Sequence, residues 1–232
     1  MSRFYVNLPL ALDEVLELPL EVVRHILVLR HKINDNIVLF NGNGTSYNAK
    51  IIEINRKIVA VQITKQVKSN QPKLLNIHLL LCIIANDKMD LAIQKAIELG
   101  ISKITPIISE RSQKLHTDKI AKRMEHWQKI IISSCEQCGN NVIPKLNHPI
   151  RLGEVSANPN GINLIMSTVK GKSQQHSDIP KQVQLLVGPE GGFSQTEQIT
   201  GFAPLMLGNL IFRSETAVIA GLSYVQLKYG NW

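Results

Sequence analysis

Two stretches late in the chain share one order of parts, and that order constrains the fold more than anything else in the sequence. One is Leu185-Leu-Val-Gly-Pro-Glu-Gly-Gly-Phe-Ser194; the other is Leu207-Gly-Asn-Leu-Ile-Phe-Arg-Ser-Glu-Thr-Ala217. Each reads as an apolar strand that breaks into a loop and then starts a helix. Repeated strand–loop–helix units build α/β sheets. In open sheets of that class, ligands sit in the crevice beyond the carboxyl ends of the strands. The two loops lie about twenty residues apart. They are expected to form one pocket, lined by backbone and holding one Glu and one Arg.

The glycines indicate the kind of pocket. Gly188, Gly191 and Gly192 open backbone angles closed to other residues and let a ligand approach the main chain. Pro189 stiffens the turn and removes one donor. Ser194 and Glu197 make a Ser-x-x-Glu capping box, which is expected to start the next helix. No Lys follows the glycines as a Walker loop requires, and the dinucleotide pattern Gly-x-Gly-x-x-Gly is absent. The loop carries Glu190 and no basic residue, so it suits a cationic or neutral ligand held by backbone hydrogen bonds. A tight strand-to-helix turn that binds nothing has the same local sequence.

The rest of the chain divides by pattern. Residues 1–66 read as mostly strands, with one short helix at about Leu20–Leu29. Ile37-Val-Leu-Phe40 is an apolar run that meets a strong turn signal, Asn41-Gly-Asn-Gly44. Ala49–Ile54 and Ile58–Ile63 alternate apolar and polar, as half-buried strands do. Val67–Lys73, with Ser69, Asn70 and Pro72, is the expected linker. Beyond it the pattern becomes α/β. Ile77–Ile84 is a continuous apolar strand of the kind buried on both faces. Asp87–Leu99 is a helix with Met89, Ile93, Ala96 and Ile97 on one face, stopped by Gly100. Lys103–Ile108 is the next strand, and Asp118 to about Cys138 a long helix with Ile120, Met124, Trp127, Ile131 and Cys135 as its stripe. Ile162–Met166, Val183–Val187 and Leu205–Leu207 are further strands, with a polar loop over 169–182, and Ser214 is expected to cap a final helix to about Leu227.

Composition narrows the partners. The formal charge is +8, with 26 basic against 18 acidic residues, and no block of like charge stands out. That balance fits an RNA partner and also fits an ordinary solvated surface. Asp13, Glu14, Glu17 and Glu21 would interrupt any signal-peptide core. No apolar run approaches the ~18 residues of a membrane span. The three cysteines, at 82, 135 and 138, make no disulfide framework, so a reducing cytoplasmic setting is expected. Cys135-x-x-Cys138 closes a helical pattern and has no second pair. It reads as helix packing, and no metal site is expected.

The two late stretches resemble the C-terminal signature of the SPOUT methyltransferases, specifically the RsmE-type family. Three further motifs agree in order: Asp87-Lys-Met-Asp-Leu-Ala-Ile-Gln-Lys-Ala-Ile-Glu-Leu-Gly100, Ser109-Glu-Arg-Ser112, and Cys135-Glu-Gln-Cys-Gly139. The resemblance covers nearly the whole chain. It implies an α/β fold: a SPOUT domain with a deep trefoil knot over 73–232, preceded over 1–72 by a small PUA-like β-barrel that binds RNA. Pattern alone would never suggest a knot. It also implies a homodimer that uses S-adenosylmethionine to methylate N3 of a uridine in small-subunit ribosomal RNA, free or in the assembled subunit. Another RNA acceptor, and a non-catalytic RNA-binding or assembly factor, remain alternatives.

The resemblance places cofactor contacts, mostly main chain, at Leu186, Gly188, Gly192, Leu207, Gly208, Leu210 and Ile211, with Met166, Ser167 and Thr168 on a further loop. The chemistry suggests the catalytic candidates. A uridine nitrogen is a poor nucleophile until its proton leaves or negative charge builds on the base. Donors aimed at the base's carbonyl oxygens stabilise that charge. Arg213 offers paired donors in a fixed fork. Glu190 and Glu215 are candidates to orient Arg213 or accept the proton, and Ser214 and Thr216 to hydrogen-bond the base or a phosphate. A surface pair between Arg213 and Glu215, and a helix-starting role for Thr216, are the plainer readings. Two stretches depart from the family pattern. Asn140, Asn141 and Val142 follow Gly139 where basic residues alternate with Asn, and Asn209-Leu210 replaces Pro-Arg. Lys145, Arg151, Lys170, Lys172 or a partner subunit are the expected substitutes for the lost phosphate contacts.

Overall fold

The computed structural model describes residues 1–68, 75–169 and 180–230. The chain forms two compact units: Met1–Pro72 with Ile132–Ile143, and Lys73–Ile131 with Pro144–Trp232. Residues 69–73 of the expected linker, and Lys170 and Lys172, lie outside the described residues.

The first unit contains β1 (Arg3–Tyr5), β2 (Val15–Glu17), α1 (Leu20–Val28), β3 (Asn36–Phe40), β4 (Thr45–Ile54) and β5 (Val59–Lys68). They form one five-stranded sheet, ordered β1-β3-β4-β5-β2. The Asn41–Gly44 turn joins β3 to β4, where the Asn43 side chain accepts the Thr45 N–H at 2.8 Å. Helix α1 buries Val22, Val23 and Ile26 against Phe4, Ile37, Leu39, Ile51 and Ile63. The short strands β1 and β2 carry too few residues for periodicity to reveal them.

The end of the long helix belongs to this unit. The Glu136 carboxylate accepts the Tyr5 N–H at 2.9 Å, and burial pushes its pKa up. Arg3 donates to the Gly139 carbonyl at 3.3 Å and to the Asn141 side chain. The oxygens offered to this guanidinium come from Gly139 and Asn141, the two positions of the loop that keep the family pattern, and not from Asn140 or Val142, where it has basic residues. Burial pushes the Cys135 thiol up to about 12, so it packs as a small apolar group.

The second unit contains β6 (Asn76–Cys82), α2 (Asn86–Glu98), β7 (Lys103–Ile108), α3 (Ile120–Cys138, extending into the first unit), β8 (Lys145–Leu146), β9 (Ile150–Arg151), β10 (Ile162–Met166), β11 (Gln182–Val187), β12 (Ala203–Leu205) and α4 (Ser214–Tyr229). Its sheet runs β12-β10-β11-β6-β7-β8, with β9 also on β7. Every pairing is parallel. Parallel sheets are covered on both faces, and Ile77, Leu79, Leu81, Leu185 and Leu186 are fully buried. Pro106 falls between the residues of β7 that pair with β8 and those that pair with β9, where its missing donor interrupts no ladder.

Four expectations need correction. No helix follows the glycine loop: residues 193–202 are turns and irregular chain. Glu197 does accept the Ser194 N–H at 2.9 Å, but its other oxygen takes the Glu110 N–H at 2.7 Å. The bond of a capping box thus closes a turn held from outside, and Gly201 and Pro204 discourage helix beyond it. The last strand is Ala203–Leu205, two residues earlier than expected, because Leu164 pairs with Ala203 and Met166 with Leu205. Its edge position tolerates Pro204. The long helix starts at Ile120, after a 3₁₀ turn over Thr117–Lys119. Ser214 is the first residue of α4, and Arg213 occupies the cap position without a side-chain cap. No helix of the described residues is long and apolar enough to cross a membrane.

Candidate active site

Strands β10, β11 and β12 end side by side, and the chain after each turns away from the sheet. A cleft of about 280 Å³ opens there, near the small end of the roughly 300–1,000 Å³ usual for ligand clefts. Its walls come from three loops: Met166–Thr168, Gly188–Phe193 and Leu207–Phe212. Ser214 and Ala217 of α4 close its base.

Local geometry explains the glycine loop. A Cβ on Gly188 would come within 2.9 Å of the Phe193 ring, so only glycine lets the ring fold back over the strand end. Gly192 has φ +66°, a region L side chains rarely occupy. It closes a turn in which its N–H reaches the Pro189 carbonyl at 2.9 Å.

Neighbouring elements brace the loop. Ser214 Oγ donates to the Gly188 carbonyl at 2.9 Å. Arg111 Nη1 donates to the Gly191 carbonyl at 2.8 Å. Lys88 Nζ lies 3.2 Å from Glu190 Oε1. Further along, Thr196 Oγ1 donates to Glu110 at 2.8 Å. The Ser194 and Thr196 hydroxyls hold the Glu110 carboxyl below the usual range. The motifs Asp87–Gly100 and Ser109–Ser112 thus meet the glycine loop in space, although 80 residues separate Arg111 from Gly191 and 102 separate Lys88 from Glu190.

The structure gathers Met166, Ser167, Thr168, Gly188, Gly192, Leu207, Gly208, Leu210 and Ile211 around the cleft. Leu186 is not on its wall. Side chains alternate along a strand, so Val187 faces the cleft while Leu186 is buried with Cys82, Ile107 and Leu152. Leu210 and Ile211 are each 82% exposed and form an apolar rim. Glu190 lines the cleft, but Arg213 and Thr216 do not. Both are exposed at the start of α4, and Arg213 lies between two lining residues, Phe212 and Ser214. Glu190 pairs with Lys88 and not with Arg213. One oxygen of Glu215 is buried without a hydrogen-bond partner. Phe193, Phe212 and Ala217 also line the cleft. A large aromatic residue inside a glycine-rich loop was the available signal for Phe193.

The cleft mixes apolar side chains with loop backbone and the hydroxyl residues Ser167, Thr168 and Ser214. Among the described residues that line it, Glu190 alone carries a charge. Such a site fits a flat apolar ring system and a cation. It does not fit a polyphosphate, for which no Lys or Arg is present among the described lining residues.

Comparison with known proteins agrees with this geometry. A family model described as "RNA methyltransferase domain" matches residues 70–226, and one described as "RNA methyltransferase PUA domain" matches residues 19–64. The chain is 36% identical to Ribosomal RNA small subunit methyltransferase E of Buchnera aphidicola subsp. Schizaphis graminum, over 100% of this chain and 98% of that protein. A structure of Ribosomal RNA small subunit methyltransferase E from Neisseria gonorrhoeae bound to S-adenosyl methionine superposes with a TM-score of 0.91 at 34% identity, over 99% of this chain and 98% of that one. A Legionella pneumophila protein solved with the bound cofactor SAM gives a TM-score of 0.92 at 37% identity, over 100% and 99%.

Proposed function

Because the chain belongs to the RNA methyltransferase family, we propose that it methylates small-subunit ribosomal RNA with S-adenosylmethionine, at N3 of one uridine. The observation that carries this reading is a cleft of mixed apolar side chains and loop backbone, with one carboxylate among its described lining residues and an exposed guanidinium between lining residues Phe212 and Ser214. When bound, S-adenosylmethionine supplies an electrophilic methyl group on a sulfonium sulfur.

The chain's own residues do the rest. Backbone of the loops at 166–168, 188–192 and 207–211 holds the donor, while Met166, Leu207, Leu210 and Ile211 exclude water from its rings. The acceptor is a macromolecule and must approach from outside, which is where Arg213 and Thr216 stand. Arg213 stabilises negative charge on the uridine carbonyl oxygens as N3 becomes nucleophilic, a preorganised role of the oxyanion-hole kind. Glu190 provides the carboxylate nearest the donor, and Thr216 a hydroxyl for the base or a phosphate. Holding donor and acceptor in contact supplies a further several kcal/mol. On the same reading residues 1–72 bind RNA, residues 73–232 form a knotted transfer domain, and two copies act as a homodimer in the cytoplasm.

The test uses labelled S-adenosylmethionine and small ribosomal subunits from cells lacking this gene. Labelled 3-methyluridine, formed roughly 10²–10³ times more slowly by Arg213→Ala, is the expected result. Label in another nucleoside would move the acceptor, and no label with no donor binding would overturn the reading.

A further inference from the structure

The Lys88–Glu190 pair bears on a problem that any such enzyme faces. Donor and product differ by one methyl group and one charge. Breaking the sulfur–methyl bond leaves the sulfur's electron pair behind, so a sulfonium becomes a neutral thioether. The rest of the ligand is unchanged, so apolar walls and backbone hydrogen bonds hold both forms almost equally. Only a charge near the cleft separates them strongly. Among the described lining residues, that charge is Glu190.

Glu190 is not left to itself. Lys88, in the first turn of α2, which follows β6, places Nζ 3.2 Å from Oε1 of Glu190 in the loop after β11. Lys88 does not line the cleft. The pair is partly solvated, with side-chain exposures of 28% and 41%, and as a stability feature such pairs contribute little. Its consequence is electrostatic. Lys88 offsets part of the field that Glu190 projects into the cleft.

We propose that Lys88 is a specificity-determining positioning residue. Acting through Glu190, it sets how strongly the cleft prefers the sulfonium donor over its thioether product. The inference rests on the proposed use of S-adenosylmethionine. A bare Glu190 would hold the donor too selectively to be tuned, and a cleft without Glu190 would release donor and product alike. With the pair in place, the carboxylate is shared between Lys88 and the donor's cation. It returns to Lys88 once the methyl group and its charge have gone.

The experiment measures dissociation constants of S-adenosylmethionine and S-adenosylhomocysteine by calorimetry, with no RNA present, on the full chain and four variants. At low ionic strength, Lys88→Met is expected to raise the donor-over-product preference roughly three- to tenfold, the scale of one unscreened charge several ångströms away. Glu190→Gln is expected to lower the preference, and the Lys88→Met/Glu190→Gln double variant to match Glu190→Gln. Lys88→Arg keeps the wild-type preference. The differences shrink as salt is raised. An unchanged preference in Lys88→Met, with both ligands bound or both weakened equally, overturns the inference and leaves the proposed function intact. Failure of the unmodified chain to bind either ligand overturns the proposed function and the inference with it.

Discussion

The Ser214 hydroxyl donates to the Gly188 carbonyl at 2.9 Å, so the first residue of the last helix holds the first residue of the glycine loop. Ser214 is 4% exposed, although both it and the half-buried Gly188 border the cleft. Ser214→Ala leaves the carbonyl unpartnered. The expected cost is about 1–2 kcal/mol of stability, seen as a lower denaturant midpoint, together with weaker donor binding as the loop slackens.

Arg213 stands outside the cleft wall, so its removal should spare the donor. Arg213→Ala is expected to lower kcat by roughly 10²–10³, as loss of one oxyanion donor does elsewhere. The donor's dissociation constant should stay within about twofold, since Arg213 is predicted to act only in the transition state. Arg213→Lys keeps the charge but loses the planar fork, and should recover only part of the rate. Single-turnover methylation and calorimetry separate the two effects.

Gly221 sits inside α4, where alanine is intrinsically favoured by about 1 kcal/mol. Packing opposes that gain. A Cβ there would lie 2.8 Å from Met166 Sδ and 2.9 Å from a Leu185 methyl. Leu185 is fully buried and has nowhere to go, so overpacking at about 1–3 kcal/mol wins. Gly221→Ala should destabilise the fold on balance and disturb Met166 at the cleft, read by unfolding and donor affinity together.

His78 gives the fold an acid limit. Burial, helped by the Lys103 charge, holds its pKa down to about 4 from the usual 6.5. Its Nε2 lies 2.7 Å from Thr105 Oγ1. Asn147 donates to that same oxygen at 2.8 Å, which leaves the hydroxyl proton for a neutral imidazole. A depressed pKa means that the unfolded chain binds the proton first. The contribution is present above pH 6.5 and is lost as pH falls toward 4, at most about 3 kcal/mol. Denaturant unfolding between pH 7.5 and 4.5 should show a steeper loss for the unmodified chain than for His78→Gln.

The α/β plan was legible because the strands around Ile77–Cys82 and Val183–Val187 are continuous apolar runs and α2 has a clean apolar face. Local hydrogen bonding was less legible. Ser194 and Glu197 make the bond that a capping box makes, yet Glu110, far away in sequence, completes it as a turn. The side of β11 that faces the cleft was also hidden, since a run buried on both faces has no alternation to separate Leu186 from Val187. Lys88 and Arg111 were visible as parts of motifs but silent as to role. Their partners Glu190 and Gly191 are brought to them only by the order of strands in the sheet.

That strand order has a consequence for synthesis. The lining residues run from Ile165 to Ala217, while β11 docks against β6 from the start of the unit. A growing chain can pair β6 with β7 early, by contacts between near neighbours in sequence. The ligand cleft has no floor until α4 arrives with Ser214. Domains emerge from the ribosome in order, so this site is among the last parts to be assembled. Donor binding by a series of stalled chains would therefore register completion of the unit. An enzyme proposed to act on the ribosome would be inert until α4 has been synthesised and docked.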